Sequence, residues 1–141
     1  MPFLYDTNVT SELRRAKNPA CDAQFASWAA SADLAQAHVC VITLHEMMRG
    51  VMLTERKDAS KGLVYRAWFE TLLDAFDGRI LDVTLDAAIF ASRCHIPDPA
   101  PLADALIAGV AASKGLTIVT RNTDDFARFG VPLLNPWITQ P

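Results

Sequence analysis

The sequence has little of what marks several large classes of protein. Its three cysteines, Cys21, Cys40 and Cys94, are odd in number, far apart and without CxxC spacing, which argues against a disulfide framework and against a zinc site. No apolar run approaches the ~18 residues that a membrane span needs. The N-terminus lacks the basic-then-apolar order of a signal peptide. These absences predict a soluble protein of the reducing cytoplasm with no membrane partner.

Positive charge is also scarce. The chain has 13 Lys and Arg against 16 Asp and Glu, which gives a net charge of −3. No overall positive field therefore draws the chain to nucleic acid. If the protein binds nucleic acid, local basic patches or bound cations must supply the attraction.

The signatures of several common enzyme sites are missing. GxSxG, GxGxxG and GxxxxGK[ST] do not occur, which removes the nucleophile elbow, the dinucleotide turn and the P-loop. His45-Glu46 begins like a zinc protease motif, but the second histidine is absent, so no helical zinc pair is available.

What the chain does contain is an alternation of short apolar runs with helical patterns. Its 141 residues, 51% of them hydrophobic, suffice for one compact domain, predicted here to span 1–141. Strands are predicted at 2–6, 35–42, 79–83, 116–120 and 131–134. Because helical segments separate them, we expect an α/β domain with a largely parallel sheet and right-handed crossovers.

The helical segments carry local predictions of their own. Thr7 or Asn8 is expected to cap the first helix, and Thr43-x-x-Glu46 forms a capping box. The polar stretch 54–62 is expected to separate two helices. One helical segment has an apolar stripe that is predicted to face the core, made of Leu44, Met47, Met48, Val51 and Met52. A later segment has a strip of small residues, which permits close approach of another backbone, made of Ala105, Ala108, Gly109 and Ala112.

Acidic side chains recur where a predicted strand passes into a helix. Asp6 follows the first strand, Glu46 opens the helix after the second, and Asp104 lies in the first turn of a later helix. Asp124 and Asp125 follow the clearest strand. Since an open parallel sheet binds its ligand beyond the C-terminal ends of its strands, we expect these acids to meet at one edge. Each of them alone could equally cap or charge a helix N-terminus.

Clustered carboxylates without basic partners indicate a bound cation. Such groups repel one another and raise one another's pKa values. A hard divalent ion that takes oxygen ligands relieves this repulsion. The sequence therefore predicts a site for Mg²⁺ or Mn²⁺.

Five segments, in order along the whole chain, match one family. They are LYDTNV at 4–9, EMMRG at 46–50, DALIA at 104–108, TRNTDDF at 120–126 and NPW at 135–137. Together they strongly resemble the PIN-domain toxins of VapC and FitB type. The resemblance implies a three-layer α/β/α PIN-like domain with a mostly parallel central sheet. It also implies a homodimer and neutralisation by a small antitoxin from the same operon, in a hetero-oligomer on DNA.

The resemblance further implies a Mg²⁺- or Mn²⁺-dependent endoribonuclease that cleaves RNA. By motif, Asp6, Glu46 and Asp104 correspond to the first three acids of the family. Asn122 stands where the fourth is usual and can offer a neutral carbonyl oxygen, while Asp125 is the acid that many toxin members carry. All five are thus implied metal ligands, and the four acids are the implied catalytic residues.

In the implied mechanism, metal-activated water attacks the phosphodiester in line. The ion is held directly or through water, and a second ion is possible in the same site. The predicted substrate contacts are Asn8, Arg49 and Arg121.

Two other functions fit parts of the sequence. A phospho-acceptor receiver domain is also α/β with acids at strand ends, although it would want an acidic pair after the first strand and a lysine after the last. A catalytically inactive PIN-like scaffold would act as an interaction module. The joint presence of Asp6, Glu46 and Asp104 speaks against that second reading.

Overall fold

The computed structural model describes residues 2–138. Five strands lie in that range: β1 (Phe3–Tyr5), β2 (Ala37–Cys40), β3 (Ile80–Leu81), β4 (Thr117–Val119) and β5 (Leu133–Leu134). Its α-helices are α1 (Thr7–Leu13), α2 (Ala23–Ser31), α3 (Val41–Lys57), α4 (Ala59–Ala75), α5 (Leu85–Arg93), α6 (Leu102–Lys114) and α7 (Thr123–Phe126). No helix of these residues has the length and apolarity to cross a bilayer.

The strands form one parallel sheet in the order β3-β2-β1-β4-β5. In its centre, Phe3 of β1 pairs with Ala37 of β2 on one side and with Thr117 of β4 on the other. Because all neighbouring strands are parallel, their C-terminal ends lie at the same edge. The predicted parallel sheet and its order of elements are confirmed.

Helices cover both faces of this sheet. Side chains alternate between the faces of a strand, so the consecutive residues Leu4 and Tyr5 enter different cores. Leu4 joins the core beneath α5 and α6, and Tyr5 joins the core beneath α2, α3 and α4. Both residues are almost completely buried. The predicted three-layer α/β/α class is therefore confirmed.

The small-residue strip of α6 lets this helix pack closely against α5. A Cβ atom built on Gly109 would lie only 2.1 Å from the carbonyl oxygen of Ala87. Helix α6 ends at Gly115, which adopts a left-handed conformation with φ of 67°, as glycine readily does. This packing fixes α6, and with it the position of Asp104 in its first turn.

Two predicted helix caps and one predicted break between helices are wrong. Asp6 itself caps α1, because its carboxylate accepts the N–H of Thr7 at 2.8 Å. Helix α3 begins at Val41 and makes no side-chain cap bond, so Thr43-x-x-Glu46 is not a capping box. The stretch 54–62 is helical apart from a break at Asp58, whose carboxylate caps α4 by accepting the N–H of Lys61 at 3.1 Å. Its polarity reflects solvent exposure of two packed helices, not a loop.

The buried stripe of α3 also differs from the prediction. Thr43, Met47 and Val51 are buried, at a spacing of four residues. Met52, which was predicted to face the core, has a side chain that is 52% exposed. Of the predicted stripe, Met47 and Val51 are buried, Leu44 and Met48 are partly buried, and Met52 is exposed.

Candidate active site

Four acidic side chains come together beyond the C-terminal edge of the sheet. Asp6 directly follows β1, Glu46 lies in the second turn of α3, Asp104 in the first turn of α6, and Asp125 in α7. The negative charges of Asp6, Asp125 and Glu46 all contribute to raising the pKa of Asp104. Residues separated by more than a hundred positions in sequence are thus within electrostatic reach of one another.

Asp6 is the most buried of the four, with only 5% of its surface exposed. One carboxylate oxygen accepts the N–H of Thr7, and the other accepts the hydroxyl of Thr120 at 2.7 Å and the amide of Asn8 at 3.3 Å. Burial raises the pKa of Asp6, and the charge of Glu46 adds to this, while the hydrogen bonds act in the opposite direction. The side chain is therefore held in one orientation.

The hydroxyl of Thr120 is fully used in this network. It accepts the side-chain amide of Asn8 at 3.2 Å and the backbone N–H of Asn122 at 3.0 Å. Because a hydroxyl has two lone pairs and one proton, its proton is left to point at Asp6. The sequence motif contained Thr120, but nothing in its spacing indicated this contact.

Asn8 joins the ends of the two central strands. Besides the bonds from its amide, its carbonyl oxygen accepts the backbone N–H of Arg121 at 3.1 Å. The predicted substrate contact Asn8 thus has all these polar atoms engaged within the protein, next to Asp6. The position of β4 relative to β1 is fixed by the same side chain.

Glu46 is positioned from the first helix. The Thr7 hydroxyl donates to Glu46 Oε1 at 2.7 Å, which connects α1 to α3 at the edge of the sheet. Thr7 therefore contacts both Asp6, through its backbone, and Glu46, through its side chain. Sequence reasoning missed this role, since the two partners are 39 positions apart.

Asp104 stands in contrast to these two acids. Among residues 2–138, no group donates a hydrogen bond to its carboxylate. Burial, followed by the charges of Asp6, Asp125 and Glu46, raises the pKa of Asp104 to about 6. Unlike Asp6 and Glu46, this carboxylate accepts no hydrogen bond from the described part of the chain that fixes its orientation.

The remaining predicted site residues are exposed to solvent. The main-chain carbonyl of Asn122 accepts the backbone N–H of Asp125 at 3.1 Å in the turn that starts α7. The guanidinium of Arg121 lies 4.6 Å from the centre of the Trp137 ring. Arg49 lines a separate groove of α3 together with Arg56.

No basic side chain neutralises the four acids. Within the part of the chain that the structure describes, the ion pairs are Arg15–Glu12 and Arg66–Glu55. Uncompensated carboxylates of this kind are the ligands that Mg²⁺ takes, usually with several waters retained. Within residues 2–138, no three side chains of His, Cys, Asp or Glu lie close enough together to hold one ion. The oxygen donors are thus of the chemical type that a divalent ion takes, but their spacing does not let three of them hold one ion together.

The fold and the site together define an α/β protein with a group of acidic side chains beyond the carboxyl ends of a parallel sheet, the edge at which such sheets bind ligands. The chain matches the family model of the PIN domain over residues 3–132. It belongs to the PIN domain family.

Similar proteins and structures extend over nearly the whole chain. Toxin FitB from Neisseria gonorrhoeae is 33% identical over 141 residues, which cover 96% of this chain and 98% of that protein. The VapC ribonuclease Y4jK from Sinorhizobium fredii is 28% identical over 141 residues, covering 96% and 97% respectively. The solved structure of FitAB bound to an IR36 DNA fragment superposes with a TM-score of 0.84 at 28% identity, covering 99% of this chain and 98% of that one.

The receiver-like alternative is wrong. Receiver domains have the strand order 2-1-3-4-5, whereas the order here is 3-2-1-4-5. The match to the PIN domain is a second finding against a receiver domain.

Proposed function

We propose that this chain is the toxin of a type II toxin-antitoxin module and a Mg²⁺- or Mn²⁺-dependent endoribonuclease. The observation that carries the proposal is the group of four carboxylates, without basic partners, at the edge of the sheet in a PIN domain. The similarity of this chain to a protein named as a toxin and to one named as a ribonuclease supports the same function.

In this proposal Asp6, Glu46 and Asp104 hold the ion, directly or through water, and Asn122 and Asp125 act at the outer side. A bound divalent ion supplies a more acidic water and offsets charge that develops on the phosphate. The side chains of the protein orient the acids that would hold this ion. Thr120 fixes the orientation of Asp6, and Thr7 fixes that of Glu46.

The proposed partners follow from the same similarities. We propose that the chain acts as a single domain in the cytoplasm, as a homodimer, and that a small antitoxin neutralises it. The similar FitAB structure contains DNA, which supports a toxin-antitoxin complex on DNA. The proposed substrate is an unpaired region of RNA, because the major groove of duplex RNA is too deep and narrow for side chains to read.

The alternative of a catalytically inactive interaction module has one observation in its favour. No three acidic side chains of residues 2–138 can ligate one ion without water or movement. The two functions differ in a simple assay, because only the nuclease cleaves RNA when Mg²⁺ or Mn²⁺ is added.

The experiment uses the purified chain with total cellular RNA, in Mg²⁺, in Mn²⁺ and in EDTA. Asp104→Asn should lower cleavage at least a hundredfold, since it removes a charge from the cation site. Asp86→Asn is the matched control, because Asp86 is also an acid in the first turn of a helix, α5, and should cleave normally. Undiminished cleavage by Asp104→Asn, or by the wild type in EDTA, would overturn the proposal.

A further inference from the structure

A groove leads away from the acidic site between α1, α3 and α4. It has a volume of about 240 Å³. Thr7 and Glu46, joined by their hydrogen bond of 2.7 Å, form its mouth. Met47 and Val51, both buried, form its apolar floor. Any molecule in this groove would therefore extend directly to one of the four acids.

Aromatic side chains and an arginine form the far end of the groove. Tyr65 and Trp68 of α4 line it, and the Arg14 guanidinium lies 4.3 Å from the centre of the Tyr65 ring and 5.9 Å from that of Trp68. Arg14 is exposed, and neither ion pair of residues 2–138 includes it. The end of the groove thus offers flat π surfaces beside a positive charge.

A glycine keeps the groove open along α3. Gly50 lies between Glu46 and Thr54 at a spacing of four residues, so the three face the same side of the helix, and all line the groove. A Cβ atom built on Gly50 would meet nothing within 4 Å. The fold therefore does not require glycine here, although glycine destabilises a helix interior relative to alanine.

We propose that this groove binds one unpaired base of the RNA substrate, next to the phosphodiester that is cleaved. The base stacks at the end formed by Trp68 and the Arg14 guanidinium, and Arg14 also contacts a neighbouring phosphate. Bases outside a helix are recognised by stacking on aromatic rings and on arginine planes. This inference rests on the proposed nuclease function, and it adds a base-binding groove to the proposed cleavage site.

An RNA occupant is favoured over an apolar protein segment for two reasons. Glu46 lines the groove and belongs to the four acids, so an RNA chain bound at the acids can place its neighbouring base in the groove. Its far end carries the positive charge of Arg14, which complements a phosphate and has no complement in an apolar segment.

The test narrows the groove at Gly50. Gly50→Ala and Gly50→Leu add side chains of increasing size and should leave the melting temperature unchanged or raise it. Both are made in the Asp104→Asn background so that the RNA stays intact. The probe is a set of short single-stranded RNAs that carry 2-aminopurine, whose fluorescence falls on stacking, at one position each. We expect Gly50→Leu to bind about tenfold more weakly, the loss of one stacked base, with Gly50→Ala between it and the unsubstituted protein.

Arg14→Gln tests the other end of the groove. It should weaken RNA binding and reduce its dependence on salt, because one phosphate contact is lost. Arg93→Gln, which removes the same charge from the end of α5, is the control and should bind normally.

The outcomes separate this inference from the proposed function. Unchanged RNA affinity and 2-aminopurine fluorescence in a folded Gly50→Leu protein would overturn the inference, while cleavage by the wild type would leave the nuclease proposal standing. Loss of antitoxin binding by Gly50→Leu with normal RNA affinity would also overturn it, since the groove would then belong to a protein partner.

Discussion

Replacing Asp104 by asparagine should stabilise the metal-free protein near neutral pH. The pKa of Asp104 is raised from 3.8 to about 6 by burial and by the charges of Asp6, Asp125 and Glu46. At about 1.4 kcal/mol per pKa unit, a shift of this size corresponds to roughly 3 kcal/mol. Because Asp104 is partly exposed, solvent screening reduces the expected gain to about 1–2 kcal/mol.

The gain should depend on pH in a defined direction. An acid with a raised pKa binds its proton more tightly in the folded state, so it destabilises the fold above about pH 6. This penalty disappears as pH falls through the window from about 6 to about 4. The advantage of Asp104→Asn over the wild type should therefore be full at pH 7.5 and nearly absent at pH 4.

The assay is urea denaturation in EDTA at several pH values, with Asp86→Asn as the matched control. If Asp104→Asn is less stable than the wild type at pH 7.5, the acids are not repelling one another and the reasoning fails. A stability difference that stays constant between pH 4 and pH 7.5 would refute it equally.

Two further predictions follow from individual contacts, and a third follows from the proposed attack by water. Thr120→Val should cost about 1–3 kcal/mol of stability in urea denaturation, because the buried Asp6 oxygen loses its donor at 2.7 Å and keeps only the longer bond from Asn8 at 3.3 Å. It should also lower RNA cleavage, and a wild-type cleavage rate would contradict the role of Thr120. Gly109→Ala should lower the melting temperature and the free energy of unfolding strongly, because the new Cβ would lie 2.1 Å from the Ala87 oxygen. A loss of unfolding free energy well below ~1 kcal/mol would show that α5 and α6 separate easily. RNA cleaved by the protein should carry 5′-phosphate and 3′-hydroxyl ends, and 2′,3′-cyclic phosphate ends detected by mass spectrometry would refute attack by water.

Much of the fold was predictable because its signals are local. Short β-branched and apolar runs indicated the strands, and the strip of small residues indicated the close packing of α6. The placement of acids just after strands then predicted that they would meet, because parallel strands share one C-terminal edge. That expectation needed the topology alone and no side-chain detail.

The contacts that orient the acids could not be predicted in the same way. The Thr7 hydroxyl bonds Glu46 across 39 positions, and Thr120 bonds Asp6 across 114. Such pairs depend on the three-dimensional arrangement of separate elements. The capping predictions for Thr7 or Asn8 and for Thr43 failed for a related reason. The Thr7 hydroxyl bonds Glu46 and Thr43 is buried within α3, and only the tertiary structure selects these positions.

The account depends on a divalent ion binding among these carboxylates, and calorimetric titration with Mn²⁺ tests this most directly. Wild-type protein and Asp86→Asn should bind Mn²⁺ with the same affinity, while Asp104→Asn should bind at least tenfold more weakly. Binding should also raise the melting temperature of the first two proteins, because the unfolded chain has no assembled site. Equal binding by Asp104→Asn, or no binding by the wild type at millimolar Mn²⁺, would contradict the account.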